Sequence, residues 1–433
     1  MAMLAVELLT GMQVYVGQTV LPLMATELNA RDSYGLVTAA AQVPAFLTMP
    51  LGGAMLGRWR ADRLMTALTA VLVAGAGACA LAPTVWVYVL GEAVRGLGAG
   101  ALATVGMGVL VAGLPGSWRR LFLSAGSAMW VLSALLGPTY AAGVSAGWGW
   151  RWALVGYLPL LVAARVAAAR AIRDLRVRAD EEGAPLIPAV ALATGVALVG
   201  AFSASSYRFW VASALGGALV LWACARVLPA GVVRAARGRP AALAALAWVC
   251  GAYFSLNYLV SPAAHDVLGL APGAIGWALT GEGLAWSAVA MWCGAHPAPT
   301  PAAYRRRTTA GAALFGVGGC VMACALGGAL PWWGLHAGWM LAGIGMGWTH
   351  QDTLARCVAD PAETGLPVDG ISQARIAASV TVGGAVGGAT LGTFATSVVA
   401  PGADGVQAAL VVPTVLALAA ALAAAPLLTR RVG

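Results

Sequence analysis

One pattern repeats along the whole chain: runs of about twenty apolar residues, each closed by a short break of polar, Gly or Pro residues. The apolar windows fall at 3–28, 35–56, 65–82, 85–113, 121–146 and 152–169. After a charged stretch at 170–183 they continue at 186–204, 209–228, 241–260, 273–293, 309–329, 332–355, 371–399 and 405–428. About 20 residues of α-helix cross a hydrocarbon layer of ~30 Å, so each window predicts one membrane span. The expected fold class is all-α, a polytopic membrane protein with fourteen spans. Twelve is the alternative if the windows at 186–204 and 209–228 do not cross. Those two windows have almost no polar face, unlike an amphipathic linker, which favours fourteen.

Composition agrees with this pattern. Of 433 residues, 60% are hydrophobic and 9% charged, and mean hydropathy is +0.83. Such a chain needs lipid as part of its solvent, and the spans leave no room for a soluble domain. The first window carries Glu7 and lacks a basic leader region, so it is expected to remain as a span.

The net charge of +9 raises the question of nucleic acid, and the placement of the charge answers it. Every basic residue is Arg. If the N-terminus is cytoplasmic, all the arginines except Arg31, Arg151 and Arg208 on the far side and Arg95 and Arg375 within spans lie at cytoplasmic connections or their edges. That asymmetry is the positive-inside signal of a multi-pass plasma-membrane protein with both termini cytoplasmic, its basic face toward anionic lipid. A nucleic-acid partner is not required. Trp86, Tyr88, Trp148, Trp150, Tyr207, Trp210, Trp332 and Trp333 then fall at the outer interface as an aromatic belt. The seven cysteines form no CxxC pair and have no His-rich partner, so neither disulfides nor a metal site is expected.

Several stretches carry chemistry inside this apolar frame. The turn after the second window reads Gly53-Ala-Met-Leu-Gly57-Arg58-Trp-Arg60-Ala-Asp62-Arg63, and the fourth window holds Glu92-Ala-Val-Arg95-Gly96-Leu-Gly98-Ala-Gly100. The fifth holds Gly137-Pro138 and Gly143, followed by Trp150-Arg151-Trp152 and Tyr157-Leu-Pro159. The first ends Gln18-Thr-Val-Leu21-Pro22. Together these resemble the Major Facilitator Superfamily, and the Gly-Pro and Trp-Arg-Trp stretches resemble its fourteen-span drug:proton antiporter branch. The resemblance implies two pseudo-symmetric six-helix bundles plus two extra helices, divided as 1–169, 170–240 and 241–433. It also implies a conformational switch at Gly53, Arg58, Asp62, Arg63, Gly137, Pro138 and Gly143.

The chain departs from that branch at Gln18, where its Asn is expected, and at two acidic positions. Gln13 stands where its first-span acid is expected, and Gly57 where the loop Asp is expected. Glutamine bonds a substrate but carries no proton.

Intramembrane ionisable groups are functional candidates by default. Glu92 and Arg95 lie three apart on one helical face and are expected to pair, either structurally or in coupling. Glu282, between glycines near the middle of its span, is a candidate proton site, and Arg375 a candidate cleft cation. Glu7 falls near the end of its span and is expected to matter less. His265-Asp266 and His350-Gln-Asp352 read as solvated or capping groups. Gln13, Gln18, Gln42, Tyr140, Asn257 and Trp286 are candidate substrate-cleft residues, each with packing as the alternative; so few polar anchors suit an amphipathic ligand better than a sugar.

The function these features predict is secondary active, proton-coupled export of a small amphipathic compound by a monomer without cofactors. The alternative is an uncoupled or lipid-type transporter of the same fold. An intramembrane enzyme would need His, Asp or Glu residues converging at one depth, and the windows hold no such set.

Overall fold

The computed structural model describes residues 2–30, 34–113, 116–173, 185–202, 204–358, 371, 373–399 and 406–432. Every one of the fourteen apolar windows is helical. In chain order the helices are α1 Ala2–Glu27, α2 Tyr34–Thr48, α3 Leu51–Arg58, α4 Ala61–Ala80, α5 Val85–Gly113 and α6 Gly116–Trp148. Next come α7 Trp150–Val155, α8 Leu158–Ala171, α9 Leu186–Val199, α10 Tyr207–Val227 and α11 Arg239–Pro262. The remainder are α12 Pro272–Ala295, α13 Pro301–Leu326, α14 Trp333–Val358, α15 Gln373–Val399, α16 Ala408–Ala423 and α17 Pro426–Thr429. No strand occurs among the described residues.

Prolines and glycines account for the breaks. Pro50 lies at the start of α3, and the α2–α3 pair bends by 45°. Gly156 and Tyr157 separate α7 from α8, which restarts with Pro159 in its first turn, where a missing N–H costs nothing. Pro262 closes α11, and a short π turn, Ala263–Val267, follows.

Among the described residues ten helices are long and apolar enough to cross a membrane, or eleven if the bent α2–α3 pair is one span. The helix in the 186–204 window is shorter than expected. Its 14 residues end at Gly200, and at about 1.5 Å per residue they fall short of a ~30 Å hydrocarbon core.

The chain divides into two compact units. The first is Met1–Ala201 with Val211–Val227 and Ser372–Val382, and the second is Phe202–Trp210 with Leu228–Ile371 and Gly383–Gly433. Within the first, α5 packs on α2 and α4, and α1 packs on α6 and α8. Within the second, α14 packs on α12 and α13, and α16 packs on α11 and α13.

Bare glycine backbone makes these contacts close, and the two units use the same geometry. A Cβ on Gly96 or Gly100 of α5 would lie 2.2 Å from the carbonyl oxygen of Ala41 or Ala45 on α2. In the second unit a Cβ on Gly343 or Gly347 of α14 would lie 2.7 or 3.0 Å from the carbonyl oxygen of Glu282 or Trp286 on α12. Gly98 between the first two faces Leu68 and Leu72 of α4, as Gly345 faces Gly311 and Phe315 of α13. α15 carries a glycine stripe as well: Gly387, Gly388 and Gly392 sit on Gly251, Phe254 and Tyr258 of α11.

This repeat aligns Glu282 with Ala41 and Trp286 with Ala45. It also aligns Glu92 with Trp339 and Arg95 with Ala342. The packing scaffold is duplicated, whereas the ionisable groups within it are not.

A methyl group at Gly96 or Gly100 meets fixed backbone, and overpacking of this kind costs about 1–3 kcal/mol. Gly96→Ala and Gly100→Ala are each expected to lower the thermal midpoint of the purified protein. Gly384→Ala, with no neighbouring atom within 4 Å, is expected to leave it unchanged or raise it, since Ala favours helix by roughly 1 kcal/mol.

Candidate functional site

In the first unit α5 carries Glu92 and Arg95 one turn apart, and they form the expected ion pair, 2.9 Å between Arg95 Nη2 and Glu92 Oε2. Both side chains are mostly buried. The thiol of Cys79 donates to Glu92 Oε1 at 3.5 Å from α4. Arg95 reaches α1 at Gly17, with Nη2 4.0 Å from where a Cβ would stand. Each ion is compensated by the other, so the pair is neutral as a whole. Removing one partner leaves a buried charge alone, which typically costs about 3–5 kcal/mol.

Two surface ties hold opposite ends of the same unit. At one end Arg60 chelates Asp62 at 3.1 and 3.2 Å and donates to the Arg173 carbonyl at 3.1 Å, joining the start of α4 to the end of α8. Asp62 lies in the first turn of α4, where a carboxylate complements the helix dipole. Its partner in the loop is Arg60; Arg58 closes α3 and Gly53 has open space beside it.

At the other end Glu27 binds both residues of the Trp150-Arg151 pair. Trp150 Nε1 donates to Glu27 at 2.5 Å, Arg151 forms an ion pair with the same carboxylate, and Arg151 also donates to the Ala82 carbonyl at 2.9 Å. The Trp-Arg-Trp stretch thus fastens α7 to the ends of α1 and α4. Glu27 escaped the sequence reading because its partner lies more than a hundred residues away.

A third cluster was also missed. Glu7 of α1 takes a hydrogen bond from Trp130 of α6 and interacts with Arg165 of α8. Arg165 is buried and donates weakly to Thr10 Oγ1 at 3.4 Å. Its arginine reads in the sequence as a topology signal, yet it sits inside the bundle.

The second unit holds the arrangement with the clearest chemical potential. Glu282 of α12 is 1% exposed. Tyr253 of α11 donates its hydroxyl proton to Glu282 Oε1. The Tyr253 ring stacks on Trp339 of α14 with centroids 5.2 Å apart, and meets Trp286 edge-on at 5.2 Å. Phe254 and Phe315 complete the aromatic wall. The carboxyl lies against bare α14 backbone, Oε1 being 3.1 Å from where a Gly343 Cβ would stand. Among the described residues no cation pairs with Glu282. An ionised carboxylate in such a shell carries a desolvation penalty of several kcal/mol that no counter-ion offsets, whereas a neutral acid carries little of it.

Near the other end of α14 the reading of Asp352 and His350 as solvated groups is corrected. Asp352 is buried and pairs with Arg307 of α13 at 2.8 Å, while Arg307 also donates to the His296 carbonyl at 2.9 Å and lies over the Trp292 ring. His350 packs its ring edge-on against Trp286, centroids 5.6 Å apart. The helix crossing of α12, α13 and α14 buries Asp352 and half-buries His350, and no local sequence signal reports a crossing.

The other candidates fall as follows. Gln13, Gln18, Gln42 and Tyr140 in the first unit, and Asn257 and Trp286 in the second, are all half-buried. Tyr140 rests its hydroxyl on Gly156, 2.5 Å from where a Cβ would stand, and meets Tyr157 edge-on. Gly137, beside Pro138 within α6, lets that helix approach Tyr15 of α1, whereas Gly143 faces open space. Arg375 is half-buried near the start of α15. Among the described residues no group of His, Cys, Asp and Glu is placed to hold a metal ion.

The sequence model of the Major Facilitator Superfamily matches residues 3–364. The chain belongs to the Major Facilitator Superfamily. Among its relatives are the MFS-type transporter TOXA of Cochliobolus carbonum, 26% identical over 139 residues, and Multidrug resistance protein 3 of Bacillus subtilis, 23% identical over 153. Those matches cover 32% and 35% of this chain but only 25% and 30% of the relatives' own lengths. The fold agrees over the whole length with the human organic anion transporter MFSD10 (TETRAN), at TM-score 0.67, 14% identity and coverage of 99% of this chain and 98% of that one. An auto-inhibited POT family peptide transporter gives TM-score 0.68 at 16% identity, covering 99% and 96%. The protein therefore has the polytopic all-helical fold of this superfamily.

The ion pair on α5 makes a stability prediction of its own. Glu92→Gln and Arg95→Gln are each expected to destabilise the protein by about 3 kcal/mol or more, while the double substitution loses less than the sum of the two. Additive losses in thermal unfolding would show that the two side chains are not coupled.

Proposed function

We propose that this Major Facilitator protein is a proton-coupled exporter of a small amphipathic compound, working by alternating access, with Glu282 as the group that takes up and releases the proton. The observation that carries this reading is the buried Glu282 carboxyl, held by a tyrosine hydroxyl and aromatic rings with no cation paired to it among the described residues. Such a group needs a proton to stay buried and must change its surroundings to lose it, which couples protonation to a conformational step. Glu92, by contrast, is committed to Arg95. It and Arg375 are held as secondary coupling candidates.

Several features favour export of an amphipathic compound. Relatives of this chain are named as an efflux pump and a multidrug resistance protein. The half-buried Gln13, Gln18, Gln42, Tyr140, Asn257 and Trp286 offer few polar anchors among apolar walls. The arginine asymmetry supports a plasma-membrane protein with cytoplasmic termini. In that orientation the Arg60–Asp62–Arg173 tie lies on the cytoplasmic side and the Glu27–Arg151 tie outside. The pairs at Asp62 and the Gly137-Pro138 step within α6 are then the natural places for the switch between states.

A second reading, uncoupled or lipid-type transport, is favoured by Gln13 and Gly57, which stand where acids are expected. One experiment separates the two. Purified protein in proteoliposomes is offered a panel of lipophilic cations, antibiotics and fluorescent lipids with and without an imposed pH gradient. The coupled exporter accumulates at least one soluble compound only when the gradient is present. Equal movement with and without the gradient, or movement of lipid alone, would support the second reading.

A further inference from the structure

The proton that reaches Glu282 needs a way out of a shell of aromatic rings, and α14 offers one. Gly343 lies on Glu282, Gly347 on the Trp286 carbonyl and Val289, and His350 on the Trp286 ring. The spacings of four and three residues put all of them on one face of α14, turned toward α12. His350 therefore stands seven residues beyond the Glu282 contact, about 10 Å along the helix, toward the α14 C-terminus. The residue is half-buried, but its Nδ1 is fully enclosed and no group among the described residues bonds it. An enclosed imidazole nitrogen with no partner is costly to keep unless something uses it.

The titratable and charged groups that surround this half of α14 are otherwise engaged. Asp352 is paired with Arg307 of α13, Tyr304 of α13 bonds Thr353 and lies under Arg356, and Tyr253 of α11 bonds Glu282. Cys250 of α11, Cys293 of α12 and Cys357 are buried thiols, and Arg239 is buried at the start of α11. None of these bonds the His350 ring.

We propose that His350 is the relay that carries the proton between Glu282 and the solvent at the C-terminal end of α14. The inference rests on Glu282 being the proton site. The step is a proton transfer alone: the Glu282 O–H bond breaks and water carries the proton past Trp286. A new N–H bond forms at His350 Nδ1, and Nε2 gives up its proton to solvent. Nothing is oxidised or reduced. Trp286, between the two groups, sets when water connects them.

The test needs no substrate. Infrared spectra of the purified protein are followed after a pH jump, reading the carbonyl stretch of protonated carboxyl groups in wild type, Glu282→Gln, His350→Gln and His350→Ala. A band that is absent in Glu282→Gln reports Glu282; if no band depends on Glu282, the reading of Glu282 itself fails. Given that band, His350→Gln is expected to slow its response to the jump at least tenfold while leaving its midpoint in place. Added imidazole is expected to restore the rate in His350→Ala, which a purely packing role for the ring would not allow. An unchanged rate in His350→Gln, or a slowed His350→Ala that imidazole fails to rescue, would overturn the relay while leaving Glu282 standing.

Discussion

The second unit depends on one contact, the bare backbone of Gly343 lying against Glu282. Helices usually approach to 8–10 Å because side chains intervene. Here α14 presents Gly343 and Gly347 to α12, and their backbones come within reach of the α12 carbonyls. That closeness excludes water from around the Glu282 carboxyl and fixes it within reach of the Tyr253 hydroxyl. It also lays Trp339 flat on the Tyr253 ring. Any movement that separates α12 from α14 must open this shell, so the packing that stabilises the unit also governs whether the Glu282 carboxyl meets water.

The first unit shows what the same scaffold does without such an acid. Gly96 and Gly100 bring α2 equally close, but the α2 residue matching Glu282 is Ala41, and the contact is purely steric. The ionisable groups that α5 itself carries, Glu92 and Arg95, neutralise each other. The internal repeat thus separates two roles that a symmetrical protein would duplicate. One unit is held by a closed ion pair and by ties at both ends, and the other holds a buried carboxyl with no cation paired to it among the described residues.

Much of this was legible in the sequence for plain reasons. Apolar length locates helices because lipid and helix geometry fix the number of residues per crossing. Every window accordingly became a helix, although the 14 residues of Leu186–Val199 fall short of the crossing length. The Glu92–Arg95 pair was visible because i,i+3 neighbours on a helix must meet. Gly96, Gly98 and Gly100 stand out in the sequence, yet their spacing does not name the partner helices. Contacts across the chain were out of reach: Glu27 with Arg151, Glu7 with Arg165, and Asp352 with Arg307 all depend on which helix ends come together. His350 was misjudged for the same reason, since its burial comes from Trp286 on a different helix.

The claim on which the rest of the account turns is that Glu282 carries the coupled proton. It is tested most directly by comparing Glu282→Gln with wild type in proteoliposomes, for a compound that the wild type accumulates, in two modes. One is accumulation driven by a pH gradient, and the other is exchange of labelled for unlabelled compound with no gradient. Loss of gradient-driven accumulation with exchange retained and insensitive to pH is the result the structure predicts. Gradient-driven accumulation by Glu282→Gln at the wild-type level would contradict it.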